Sequence, residues 1–281
     1  MNTAEYLNKW AISYKDDIIN NIMPFWMKYG LDKEHGGVYT CVNRDGSLMD
    51  TTKSVWFQGR FGFIAAYAYN NIEKNPQFWA ASKSCIDFIE AHCFDTDGHM
   101  FFEVTEDGVP LRKRRYVFSE GFAAIAMAEY SLATGEKEYA EKALEIFKRT
   151  QHFLDTPGML EPKYLPAMSS RGHSITMILI NTASRIRMVI DDPVLTEQID
   201  ASIAALRKYF IHPEFKALLE MVGPNGEFID TCNGRVINPG HCIETAWFIM
   251  EEAKYRNWDK DLLQLALQIL DWSWEWGWDK E

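Results

Sequence analysis

Long apolar runs are missing from this chain: no stretch approaches the roughly 18 consecutive apolar residues that a membrane span requires, so no membrane partner is expected. The opening residues, MNTAEYLNKW, hold no basic patch followed by an apolar stretch, which argues against a secretory signal. Cysteine is scarce. Five residues with no Cys-x-x-Cys fit a reducing, cytoplasmic location better than a disulfide framework. Positive charge is in deficit, with 29 Lys and Arg against 40 Asp and Glu and a formal net charge of −11. That balance argues against nucleic acid or an anionic membrane as partner, because both need a basic face. The chain also lacks HExxH, zinc-spaced Cys/His clusters, GxSxG, a Walker A loop and GxGxxG. A pair of carboxylates for glycoside hydrolysis is not excluded by composition.

Aromatic residues, by contrast, make up 14%, with ten Trp, twelve Tyr and seventeen Phe. Most such rings pack cores, and in an acidic protein some are candidates to stack on sugar faces in a cleft. Helical periodicity dominates the pattern. It predicts helices near 2–28, 54–74, 76–92, 117–134, 136–152, 171–190, 192–211, 239–256 and 258–276. They pair across short turns at Asn75-Pro76, Thr134-Gly135 and Asp191-Asp192-Pro193, where Pro and Asp stop one helix and start the next. Longer loops separate the pairs. Within them, GGVYTCVNRDGSLMD and GHMFFEVTEDGVPLR each read as a β-hairpin with an Asp-Gly turn, and GPNGEFIDTCNGRVINPG reads as a third. Helix pair, decorated loop, helix pair is the signature of an all-α toroid, expected as one domain over residues 1–281. A doubly wound α/β fold is excluded because no apolar strand regularly precedes each helix. Gly30-Leu31-Asp32-Lys33-Glu34 is echoed by Gly277-Trp278-Asp279-Lys280-Glu281. With helix-plus-loop units of about 31 residues, a closed ring of twelve needs roughly 370, so about three helices are expected beyond this sequence.

Four segments carry candidate chemistry. In GRVINPGHCIE, Asn-Pro-Gly is turn chemistry and the apolar run after it starts a helix. His241 then sits at a helix N-terminus with Glu244 one turn on and on the same face. The helix dipole there favours the neutral ring and a carboxylate favours the charged one, a combination suited to moving a proton from carbon. In WFQGRF, the residues Trp56, Gln58 and Arg60 are placed to line a cleft, with Arg60 on a sugar oxygen or an enolate. In RRYVFSEGF, Tyr116 precedes a helix and Glu120 lies in its first turn, where an acid also suits the dipole. His173, in Arg171-Gly172-His173-Ser174, opens another helix. Taken singly, each has an ordinary structural reading as a cap, a core ring or a surface charge. Together they share one position, the start of a helix after a long loop, and in a toroid those ends converge.

The segments NPGHCIETAWFIM, WFQGRFGF, RRYVFSEGFAAIAMAEYSLATG and DKEHGGVY resemble the N-acylglucosamine 2-epimerase family, and the likeness extends along the whole sequence. The resemblance implies an (α/α)6 toroid with short β-hairpins in its loops, incomplete at the C-terminus, and interconversion of N-acetylglucosamine with N-acetylmannosamine. Cellobiose 2-epimerases and aldose–ketose isomerases share that scaffold, so a mono- or disaccharide substrate is implied. Family members are thought to use two histidines on opposite faces of the open-chain sugar. His241 matches the one that removes the C2 proton, Glu244 the acid that tunes it, Arg60 the arginine beside the reacting oxygen, and Tyr116 a cleft tyrosine; Trp56, Gln58 and Glu120 join it as sugar contacts. His173 matches more loosely, and the partner histidine is expected beyond position 281. No cofactor is implied, with a nucleotide such as ATP as an activator in some relatives, and a homodimer is the implied assembly. The missing partner leaves open a second class, a catalytically inactive sugar-binding protein.

Overall fold

The computed structural model describes residues 2–113, 116–161 and 169–281. These fall into two compact units, Met1–Leu160 with Met188–Ile190, and Glu161–Arg187 with Asp191–Glu281. No described helix is long and apolar enough to cross a membrane.

In the first unit, α1 (Thr3–Asp17) starts with a capping box. Asn2 accepts from the Glu5 N–H while the Glu5 carboxylate accepts from the Asn2 N–H, so both exposed donors are satisfied. The helix expected over 2–28 is divided: a π-helical turn at Ile18–Ile22 separates α1 from α2 (Met23–Tyr29). The next four helices form two hairpins, α3 (Val55–Asn71) with α4 (Pro76–His92) and α5 (Phe118–Thr134) with α6 (Lys137–Asp155). Asn75 caps α4 through the Gln77 N–H, with Pro76 in its first turn, and Gly135 ends α5 in the left-handed conformation at φ 80°. Every residue of α5 from Ser119 to Ser131 is buried, as its all-round apolar sequence requires, whereas α6 buries one stripe. Helices α3 and α5 approach closely because α3 presents Gly59 and Gly62 to Phe122 and Ala126.

Both Asp-Gly hairpins form. β1 (Cys41–Val42) pairs with β2 (Leu48–Asp50) around Gly46, and β4 (Phe101–Val104) pairs with β5 (Pro110–Lys113) around Gly108. β3 (Lys53–Ser54) adds to β4 and leads directly into α3. Lys53 is fully buried and satisfied on three sides, by Asp32 Oδ2 at 2.7 Å and the carbonyls of Gly36 and Glu106 at 2.8 Å each.

In the second unit, α7 (His173–Arg187) packs on α8 (Pro193–Ala205), which continues through a π-helical segment at Leu206–Phe210. Helix α9 (Pro239–Tyr255) packs on α7 and on α10 (Lys260–Gly277). Two short ribbons join them, β6 (Arg171–Gly172) with β9 (Met221–Val222) and β7 (Ile211–His212) with β8 (Ala217–Leu218). The third hairpin expected over 223–240 is corrected. Its turn exists, with the Gly223 N–H on the Glu227 carbonyl at 2.8 Å. However, β9 pairs with β6 instead of with the residues after the turn. Those residues hold no alternation and coil on themselves, Arg235 N–H to Thr231 O and Val236 N–H to Asn233 O.

A Cβ built on Gly59 would lie 2.6–2.8 Å from the backbone and Cβ of Phe122. Gly59→Ala must therefore push α3 from α5, and is expected to cost about 1–3 kcal/mol in urea unfolding. An unchanged midpoint would mean that this approach is not tight.

Candidate active site

The second unit gathers its chemistry at one point through a strand ladder and a helix cap. β6 and β9 run antiparallel with Gly172 opposite Met221, and the His173 N–H continues the ladder by donating to the Glu220 carbonyl at 3.0 Å. The register thus sets His173 beside Glu220. Asn238 caps α9, its Oδ1 accepting from the His241 N–H at 3.2 Å, with Pro239 in the first turn where its fixed φ suits a helix start. The Cys242 thiol reaches the Leu218 carbonyl at 3.5 Å and ties that helix start to the chain leading to Glu220.

Glu220 lies between two imidazoles. His241 Nδ1 is 3.0 Å from both carboxylate oxygens, and His173 Nδ1 is 3.5 Å from Oε2, an ion-pair separation that is longer than a good hydrogen bond. The His173 ring is wholly buried, while the side chains of Glu220 and His241 are 23% and 35% exposed. On the far side of His173, Nε2 is 2.9 Å from Thr245 Oγ1, and the Thr245 hydroxyl donates to the His241 carbonyl at 2.8 Å. That spends the only hydroxyl proton of Thr245, so His173 Nε2 carries the hydrogen and Thr245 accepts it. Burial acts to raise the Glu220 carboxyl, but hydrogen bonding and charge from His173 and His241 outweigh it and hold the group down at about 2. Glu220 therefore stays charged, His241 donates to it from Nδ1, and the lone pair of the neutral His241 ring resides on Nε2. A carboxylate fixing the tautomer of a histidine in this way prepares a base at the opposite nitrogen. The same three side chains offer nitrogen and oxygen atoms suited to a metal ion.

Two of the expected residues, His241 and His173, thus meet. The acid whose carboxylate meets His241 Nδ1 is Glu220, 21 positions earlier, and Glu244 sits half-buried in the second turn of α9. The His173 ring has no exposed surface and lies behind Glu220, with Nε2 on Thr245. The remaining expected residues belong to the first unit. Arg60 is exposed, with its guanidinium 4.4 Å from the Phe122 ring centre. Trp56 is half-buried against Phe102, Phe118 and Phe122, and Tyr116 meets Phe118 edge-on. Gln58 is fully buried and clamps a loop, accepting from the Val38 N–H at 2.9 Å and donating to the Val38 carbonyl at 2.6 Å. Glu120 does the same for the next loop, accepting from the Met100 N–H at 2.8 Å while 2% exposed. Arg114 and Arg115 of the RRYVFSEGF segment lie outside the described residues. Sequence reasoning missed Glu220 and Thr245. The sign of Glu220 was a single acid inside the apolar run Ala217-Leu218-Leu219-Glu220-Met221-Val222.

Helix hairpins joined by short strands and decorated loops define a class, an α/α protein, and here one helix start carries a histidine against a half-buried carboxylate. The chain belongs to the N-acylglucosamine 2-epimerase family, whose sequence profile matches residues 37–281. It is 28% identical over 290 residues to the N-acylglucosamine 2-epimerase of Mus musculus, covering 99% of this chain and 68% of that protein. To the N-acylglucosamine 2-epimerase of Homo sapiens it is 29% identical over 286 residues, covering 99% of this chain and 66% of that one. The chain thus spans about two thirds of the length of these relatives. Its fold is similar to that of cellobiose 2-epimerase from Bacillus thermoamylovorans B4167, with a TM-score of 0.84 at 20% identity over 95% of this chain and 72% of the other. That is the (α/α)6 toroid class, with short strands in the loops, that the sequence led us to expect.

Because the folded Glu220 carboxyl is lowered from 4.5 to about 2, its contribution to stability is complete above the unfolded value and is lost as pH falls through the folded one. The melting-temperature gap between the wild type and Glu220→Gln is expected to be full at about pH 6 and to close between about 4.5 and about 2. A gap that does not change with pH would contradict the ion-paired carboxylate.

Proposed function

We propose that this chain is a sugar 2-epimerase interconverting N-acylglucosamine and N-acylmannosamine, with His241 as the base at C2. The observation that carries this reading is the His241 Nδ1 held 3.0 Å from both oxygens of a charged Glu220. Family membership supports it, since relatives matched along nearly the whole of this chain bear the name N-acylglucosamine 2-epimerase. In the ring-opened sugar the C2 hydrogen lies next to the C1 carbonyl, so its removal leaves an enolate instead of an isolated carbanion. His241 takes that proton at Nε2. As the ring becomes charged, the Glu220 carboxylate stabilises the imidazolium, and the nearby histidine and threonine keep the carboxylate in place. A second acid or water returns a proton to the opposite face of C2, which gives the epimer, and His241 releases the proton it took to solvent. The substrate is a mono- or disaccharide, and the reaction as written consumes no cofactor.

Proton NMR of the purified protein with N-acetylmannosamine in D₂O tests the reading. The expected result is deuterium at C2 together with N-acetylglucosamine, both slowed about 10²–10⁴-fold in His241→Asn. A ketose product would reassign the chain as an aldose–ketose isomerase, which delivers the proton to C1. Sugar binding without exchange, from folded protein, would make it a catalytically inactive sugar-binding protein.

A further inference from the structure

The tautomer chain leaves one buried atom without a partner. His173 Nε2 holds its hydrogen on Thr245, so in the neutral ring a lone pair at Nδ1 faces the Glu220 carboxylate from 3.5 Å. This Nδ1 has no hydrogen-bond partner among the described residues and no exposed surface. A lone pair directed at a carboxylate is unfavourable unless a positive species lies between them: a proton on Nδ1, which makes the ring the cation that lowers Glu220, or a metal ion in its place. His241 borders the same space, its Nδ1 3.0 Å from Glu220 Oε2, and one ligating atom from each of the three residues lies within 4.8 Å of the others.

The edges of that triangle match a metal site. Zinc binds imidazole nitrogen and carboxylate oxygen at about 2.0–2.2 Å, which places neighbouring tetrahedral ligands about 3.3 Å apart. The two edges to Glu220 are 3.0 and 3.5 Å, and the third, between the two imidazole nitrogens, is within 4.8 Å, so side-chain movement that draws the rings together seats an ion. Two imidazoles and one carboxylate select a borderline divalent ion such as Zn²⁺, Co²⁺ or Fe²⁺ over Mg²⁺ or Ca²⁺, which prefer oxygen. The partial exposure of Glu220 and His241 gives the ion a route in and a fourth position for water.

We infer that His173 Nδ1, Glu220 and His241 Nδ1 form a binding site for a divalent transition-metal ion of the zinc type. Binding at His241 Nδ1 moves the hydrogen of that ring to Nε2, the atom the proposed epimerase uses as its base. On that reading, metal occupancy and proton transfer exclude each other, and the ion is an inhibitor. The metal site itself stands or falls independently of the activity.

The test is cobalt(II) titrated into protein carrying Cys41→Ser and Cys232→Ser, which removes the two exposed thiols that would compete for the ion. Visible absorption reports the metal's own ligand field and circular dichroism reports the fold. The expected result is saturation at one equivalent, with affinity lowered at least about tenfold by Glu220→Gln and by His241→Asn. The two variants are independent tests, and only those whose circular dichroism matches the wild type are compared. Absence of a cobalt band, or a band equally strong in a folded variant, would overturn the site. Zinc is then expected to suppress C2 deuteration. Exchange that persists in the metal-saturated protein would remove the inhibitory role and leave the site, whereas absence of exchange without metal bears only on the epimerase reading.

Discussion

A carboxylate withdrawn from water keeps its charge only where donors or cations replace the lost hydration. Glu220 meets that condition with two histidines that reach it by different routes, one from a strand ladder and one from a helix start. The local structure of the second unit serves this contact. The β6–β9 register brings the His173 N–H to the Glu220 carbonyl, and a slip of one residue would turn the ring to the other face. Asn238 and Pro239 fix the first turn of α9, and the Cys242 thiol holds that turn to Leu218. Thr245, one turn further along, accepts from His173 and donates to the His241 carbonyl, closing the chain of hydrogen bonds. Remove the carboxylate, and His241 loses the acceptor that holds the hydrogen on Nδ1.

The first unit applies the same physics to architecture. Lys53 is buried because Asp32 and two loop carbonyls surround it. Gln58 and Glu120, each in the first turn of its helix, take a backbone N–H from the loop two dozen or fewer positions earlier. His99 stacks on Phe153 at 3.6 Å beside Glu120. Polar residues at helix starts therefore divide into two kinds. Some are consumed by the loop they hold, and others, such as His241 and Arg60, keep exposed surface.

That division explains what was legible. Helix pairs were readable because periodicity, Asn75-Pro76 and Asp192-Pro193 are local signals, and the structure places α4 and α8 where they direct. His241 was readable because Asn-Pro-Gly marks the helix start. Glu244 was legible from helical spacing, a geometry that a sequence states directly. Glu220 arrives across a ladder between residues 171–172 and 221–222, whose register no local pattern encodes. Gln58 and Glu120 looked like cleft residues because loop carbonyls and N–H groups leave no trace in side-chain chemistry. The π-helical turns at Ile18–Ile22 and Leu206–Phe210 were hidden as well, since a single turn of i→i+5 bonding carries no residue signature of its own.

The central claim is that Glu220 sets the hydrogen of His241 on Nδ1 and so makes Nε2 the base. Long-range proton–nitrogen correlation spectra of the histidine rings, recorded above the range where free imidazole titrates, read this directly. The account predicts the Nδ1–H tautomer for His241 and the Nε2–H tautomer for His173 in the wild type, with the His241 preference lost in Glu220→Gln. A neutral His241 carrying its hydrogen on Nε2 in the wild type would contradict it.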